Sequence, residues 1–188
     1  MSARMDSFPR WAAWAIGAGL LVAAWFVALV TPGEDQTQSP FPITVAVGEE
    51  GVGRNIAATV TDIRRVGELT GGDWSDEGNW LVVDLDVESV VSEFGVLLSF
   101  AEISVDGVRY GASERPDSLR QEGLAAGIPR SGSLAFELPD DLESGEAVLQ
   151  LAIDGDTRLD SVIVVPFDLA DVPFSAAGEL RETGWTHP

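Results

Sequence analysis

Residues 11–30, WAAWAIGAGLLVAAWFVALV, carry no charge and no strong hydrogen-bonding side chain apart from the indoles of Trp11, Trp14 and Trp25. At a helical rise of about 1.5 Å per residue, twenty positions cover about 30 Å, the thickness of a bilayer's hydrocarbon core. The stretch predicts one transmembrane helix, and the rest of the chain takes its meaning from that.

The flanks predict its direction. Arg4, Arg10 and the amino terminus stand before it against the lone Asp6, whereas the first charges after it are Glu34 and Asp35. Short Arg-bearing flanks stay in the cytoplasm. Residues 1–10 are thus expected to be a cytoplasmic tail and residues 31–188 to lie outside, in a single-pass cell-membrane protein. The competing reading is a cleaved signal peptide, whose apolar region is shorter and closes on small residues at alternate positions. Bulky Val30 spoils that site, which favours an uncleaved signal anchor. No Cys follows the helix, so lipid attachment there is excluded. Ala15, Gly19 and Ala23 recur every fourth residue, with Ala13 and Gly17 one face over, a smooth strip where a second helix could approach closely. The partner would be an integral membrane complex or a homodimer; the plain alternative is that the strip faces lipid.

Of the 188 residues, 158 follow Val30, enough for one domain with its own core and short for two. With no Cys in the chain, packing alone must hold that domain. There is no Lys; nine of the eleven Arg and thirty of the thirty-one acids follow the helix, a formal balance of −21. Such a charge repels nucleic acid, anionic lipid and anionic wall polymers at long range, although salt screens it beyond about 8 Å, so nucleic acid is not expected as a partner. Solubility beside a membrane or in a salty host explains the acidity better than attraction of a basic partner.

Residues 31–42, TPGEDQTQSPFP, read as an extended linker. Strand patterns follow at Ile43 to Val47, at Asn55 to Val66 with Ile56, Ala58 and Val60 inward and Arg64 and Arg65 ending it, and at Trp80 to Val87. A Gly-rich turn (Gly48, Gly51, Gly53) and a loop (Gly67 to Asn79, bearing Trp74) separate them. Leu81, Val83, Leu85 and Val87 form one face of the clearest strand; Trp80, Val82, Asp84 and Asp86 form the other. Further strands are expected at Leu97 to Val105, returning through Asp106-Gly107 to Val108–Gly111, at Ser131 to Leu138, and in a last hairpin of Ala147–Ile153 and Leu159–Phe167. Residues 112–129 read as irregular, with room for a helical turn or two. Seven or eight short strands between Gly, Pro and Asp turns predict an all-β fold. We expect an immunoglobulin-like β-sandwich over residues 43–167, with a closed barrel as the runner-up and 168–188 as a tail or edge strand.

Three segments carry a resemblance: Asn79-Trp80-Leu81-Val82-Val83-Asp84, then Val105-Asp106-Gly107-Val108-Arg109-Tyr110, then the run from Gly127-Ile128-Pro129-Arg130 through Ser131 to Pro139. Across residues 48–167 the chain resembles the immunoglobulin-like domains of unassigned function on secreted and lipid-anchored surface proteins of Gram-positive bacteria, related to the mycobacterial immunoprotective extracellular antigen. The resemblance implies a two-sheet sandwich outside the membrane and no known activity. It departs from that pattern at Glu88-Ser89, where those domains commonly place an Asn, and in lacking a lipid-bearing Cys.

Chemistry is scarce. The one His is His187, near the end of the tail, which removes a Ser-His-Asp arrangement and His- or Cys-built zinc and copper sites. Gly48-Glu49-Glu50-Gly51-Val52-Gly53 has the wrong spacing for a phosphate loop and puts acids where phosphates would sit. Thirty carboxylates make any one acid-base pair uninformative. Asp154-Gly155-Asp156-Thr157-Arg158-Leu159-Asp160 gathers three Asp around a turn, yet Arg158 in their midst would neutralise them rather than leave room for calcium. Asp84, Asp86 and Glu88 read as a solvated strand face. No catalytic, cofactor-binding or metal-ligating residue, and no cofactor, is therefore expected.

The segment from Arg109 to Arg130 is where the outside charge reverses. Arg109, Arg115, Arg120 and Arg130 are the candidate contacts for an acidic partner or anionic ligand, since guanidinium groups grip carboxylate and phosphate well. The alternative is pairing with neighbouring acids such as Glu114, Asp117 and Glu122. Together these features predict a non-enzymatic accessory or interaction subunit of a cell-envelope complex. A binding module for a small ligand, cation or wall component is the second reading, and an enzyme the last.

Overall fold

The structure, a computed structural model, describes residues 10–30, 39–91 and 96–186. The expected cytoplasmic tail before Arg10, the linker residues 31–38 and His187 lie outside them. The chain divides into two compact units, residues 1–39 and 40–188.

In the first unit, α1 (Arg10–Val30) is one uninterrupted helix. Among the described residues no helix is long and apolar enough to cross a membrane, so the crossing expected for residues 11–30 is not established by the structure. Ala15, Gly19 and Ala23 are all exposed, and a Cβ added at Gly17 or Gly19 would meet nothing within 4 Å.

The second unit is strand-built. In chain order its strands are β1 (Phe41–Thr44), β2 (Glu50–Val52), β3 (Ile56–Gly71), β4 (Trp74–Ser89), β5 (Val96–Leu97), β6 (Phe100–Val105), β7 (Val108–Gly111) and β8 (Gly123–Leu124). They continue as β9 (Arg130–Leu138), β10 (Glu146–Ala152), β11 (Ser161–Asp168), β12 (Phe174–Ser175), β13 (Gly178–Glu179) and β14 (Gly184–Trp185). One sheet runs β1-β11-β10-β6-β7; the other runs β12-β3-β4-β9-β14, with β2 and β13 also on β3. The short β5 and β8 pair with each other. This is a β-sandwich of two open sheets, not a closed barrel.

Alternation builds the core between them. Leu81, Val83, Leu85 and Val87 of β4 and Leu134, Phe136 and Leu138 of β9 meet Ile103 of β6, Leu149 and Leu151 of β10 and Ile163 and Val165 of β11, all buried. The β6–β7 turn forms as its sequence predicts. Asp106 (φ 47°) and Gly107 (φ 83°) both sit in the left-handed region, the geometry of the two-residue hairpin turn that Asp-Gly favours.

Three expectations need correction. Gly67 to Asn79 is not a loop, and Arg64 and Arg65 do not end a strand: β3 and β4 form one long hairpin that turns at Gly72, φ 58°. Register shifts between Val60 and Asp62 and between Val66 and Glu68 interrupt the alternation. A bulge moves every later side chain to the opposite face, so a period-2 reading loses the strand where it continues. The turn after Gly48 contains β2, and Ile43 to Val47 gives way to the earlier β1, which ends at Thr44.

The third correction concerns the outer face of β4. Asp84, Asp86 and Glu88 are half-buried rather than solvated, because the tail lies over this sheet. β12 and β13 pair in parallel with β3, and β14 pairs antiparallel with β9, so the tail adds strands to both edges. Leu180, between them, packs with Val66, Leu69, Trp80, Val82 and Ala135 in a second apolar cluster. Gly178 allows this approach, since a Cβ there would stand 2.6 Å from a Val66 methyl.

Candidate functional site

The four Arg of the charge-reversed segment are carried by four different pieces of chain, and each meets an acid. Arg109, on β7, is 3.8 Å from Glu102 across the β6–β7 hairpin. Arg115 reaches Asp76 at 2.6 Å and Glu137 at 3.2 Å, with its guanidinium 5.8 Å from the Trp74 ring centre and 5.7 Å from that of Trp80. Arg120, in the short 3-10 turn Leu119–Gln121, pairs with Glu114 at 3.4 Å. Arg130, opening β9, pairs with Glu122 at 2.5 Å, donates to the Gly123 carbonyl at 2.8 Å and lies 4.6 Å over Trp185. Arg109 remains 73% exposed and Arg115 49%, so these two keep the most surface for a partner. Exposed pairs of this kind contribute only about 0–1 kcal/mol and exchange partners readily.

Where the tail crosses the second sheet, polar groups fasten it. Asp84 accepts from Arg64 at 2.6 Å and from the Ser133 hydroxyl at 2.5 Å. The Ser133 oxygen accepts from the Arg181 backbone N–H at 2.7 Å, and Arg64 donates to the Glu179 carbonyl at 2.9 Å. Burial works against the Arg64 charge, but hydrogen bonds to Asp84 and Asp62 outweigh it and raise the Arg64 pKa above its ordinary value. Beside this crossing runs a cleft of about 370 Å³ lined by Asp117, Ser118, Glu179, Arg181 and Glu182 among others. Ser118 is 5% exposed and its hydroxyl has no hydrogen-bond partner among the described residues. The wall is mainly acidic, so its chemistry suits a cationic or hydrogen-bonding ligand.

At the Asp154–Asp160 turn, Arg158 is bonded to Asp156 at 2.5 Å. The side-chain hydrogen bond from Arg158, with a second from its backbone N–H, lowers the Asp156 pKa to about 2. Asp154 accepts the Asp156 N–H, and Asp160 accepts from the Asn55 amide and the Ser161 N–H. Each carboxylate is thus engaged by the protein itself. Among the described residues no three His, Cys, Asp or Glu side chains converge on a common centre.

With this geometry in hand the chain can be set beside known proteins. No family model matches it, and no curated protein matches its sequence. Among solved structures it is similar to an uncharacterised β-sandwich protein from Clostridium difficile 630, at 12% identity and a TM-score of 0.45 over 71% of this chain and 99% of that one. It is also similar to the secreted protein MPT63 from Mycobacterium tuberculosis, at 14% identity and a TM-score of 0.49 over 68% of this chain and 98% of that one. The neighbours are β-sandwich proteins, one of them secreted; at these values the likeness carries no argument about function.

The sequence allowed for an edge strand in residues 168–188, but not for the polar groups that fasten the tail or for Leu180 in the second apolar cluster. Its signal was faint: Leu180 is a lone apolar residue between Glu179 and Arg181. The apolar Trp80 and Val82 on β4's other face were the better clue, since two large apolar side chains on one sheet face need cover.

Proposed function

We propose that the chain is a single-pass, membrane-anchored protein whose extracytoplasmic immunoglobulin-like sandwich serves as a non-enzymatic accessory or interaction subunit of a cell-envelope complex. The observation that carries this reading is α1. Ten of its large apolar side chains, from Trp11 (72%) and Trp14 (82%) to Leu29 (62%), are more than half exposed. A helix apolar all round needs lipid or protein about it, and the Arg-bearing flank orients it with the amino end inside. The motifs behind the resemblance support the immunoglobulin-like assignment: they fall on β4, on the β6–β7 hairpin and on β9 with its approach. The Ala15, Gly19, Ala23 strip supplies a surface for a membrane partner or a second copy, and Arg109, Arg115, Arg120 and Arg130 supply contacts for an acidic one.

Affinity purification of the full chain in mild detergent tests the role. A stoichiometric integral membrane partner is expected, and it should be lost from the R115Q/R120Q variant while the fold survives. A lone monomer, or capture unchanged by both substitutions, would count against it. A second reading, a binding module for a small ligand or cation, is favoured by the acidic cleft with the unpartnered Ser118 hydroxyl; saturable binding of a small amine, lost in S118A, would support that instead.

A further inference from the structure

The exposed apolar side chains of the sandwich are gathered at one end. Val47, Leu97, Val108 and Phe174 lie elsewhere, but Phe41 (53%), Val52 (56%), Val91 (66%), Ile128 (49%), Leu159 (50%) and Trp185 (43%) share a single end. Register and hydrogen bonds tie these segments together. The Phe41 N–H donates to the Asp160 carbonyl; Asn55 donates to the Asp160 carboxylate at 2.7 Å; the Val90 N–H donates to the Asn55 carbonyl at 3.0 Å. Ser89 bridges to Ala126, and Trp185 pairs with Arg130 at the start of β9. Leu159 has φ 57°, a conformation rare for a bulky side chain, and is half exposed.

A cation stands in the same patch. Arg54 is exposed, donates to the Leu159 carbonyl at 3.4 Å, and has no carboxylate within 4 Å among the described residues. Of the Arg in this unit only the buried Arg65 shares that condition. The nearby acids are engaged elsewhere, Asp160 by Asn55 and Asp156 by Arg158. An apolar rim around an unpaired guanidinium is the chemistry of a surface that meets a phospholipid headgroup, with the side chains in the acyl boundary and the cation at the phosphate.

Connectivity says what covers it. The sandwich begins at this end, with Phe41, and ten residues separate it from Val30. Ten extended residues reach at most about 35 Å, so an anchor in the bilayer would keep Phe41, where the sandwich begins, within that distance of the lipid surface. We propose that the end bearing Phe41, Arg54, Ile128 and Leu159 docks onto the outer leaflet of the membrane, with Arg54 on a lipid phosphate. The proposal rests on the membrane-anchor reading. The overall acidity does not oppose it on zwitterionic lipid, where repulsion between net charges is absent.

The absence of Cys makes the test clean. The full chain, carrying one nitroxide label at a time, is reconstituted in phosphatidylcholine vesicles. Labels at Leu159→Cys and Ile128→Cys probe the docking end, one at Val108→Cys the far hairpin, and one at Val22→Cys the helix. Collision rates with oxygen, which prefers lipid, and with a water-soluble nickel chelate give each label's depth. The labels at 159 and 128 are expected to favour oxygen several-fold over the label at 108, with R54Q reducing that preference. Labels at 159 and 128 as accessible to nickel as the one at 108, with the label at 22 buried in lipid, would overturn the docking and leave the anchor standing. A water-exposed label at 22 would overturn both, and shielding at 159 and 128 that vanishes on dilution with lipid would replace the bilayer by a second copy of the chain.

Discussion

Two regions of this molecule present large apolar side chains on a surface, and they are treated differently. On the outer face of the second sheet, Trp80, Val82, Leu69 and Val66 are fully buried because the chain's own tail lies over them. On α1, the large apolar side chains are left exposed among the described residues. The first region completes a fold. The second is left exposed among the described residues, and apolar area of this extent is unfavourable in water. The contrast is between an apolar face that the chain covers itself and one that it leaves exposed.

The largest test of that contrast is at Trp80. If its face is a second core, Trp80→Ala should destabilise the sandwich by about 4 kcal/mol, measured by urea unfolding of the full chain in detergent. A loss below about 0.5 kcal/mol, the usual size for a surface change, would return Trp80 to the solvated face that alternation alone suggests. Leu180→Ala removes the tail's contribution to the same cluster and should cost about 2 kcal/mol, with faster amide exchange at the β13 and β14 pairings. Unchanged exchange there would mean that the tail is held by its edge hydrogen bonds without the cluster.

Much of the inner architecture was legible because it obeys one period. The β4, β9, β10 and β11 core residues alternate strictly, and Asp106-Gly107 names its own turn. What escaped is what breaks the period. The bulges near Thr61 and Gly67 hid the continuation of β3, and the Gly and acids of residues 67–79 resembled a loop although they pair across a hairpin. For the tail, expected as a tail or edge strand, the partners escaped for another reason. Its short strands join edges of a sheet formed far upstream, and no local pattern in residues 172–186 reports a partner more than a hundred residues away, as in the pairing of Gly178 with Leu69. The Arg segment was visible as a charge reversal, but which acid each Arg meets depends on hairpin register. Asp76 becomes a partner for Arg115 only once residues 74–79 are strand.

The smallest expected effect lies at the 154–160 turn, where the cover is electrostatic. The Asp156 carboxyl should titrate near about 2 in the folded protein, below its ordinary 3.8. Its pairing with Arg158 favours the folded state fully above the ordinary value, and that contribution fades as pH falls toward about 2. Carboxyl chemical shifts followed by NMR should show this midpoint, and Arg158→Gln should move it back toward 3.8. A midpoint unaffected by that change would show that Arg158 does not hold the turn.

The claim on which the rest depends is that lipid surrounds α1. Alkaline carbonate extraction of membranes from cells making the full chain tests it most directly. The account expects the protein, with residues 11–30 still attached, to remain in the membrane pellet; its release into the supernatant as an intact chain would contradict it.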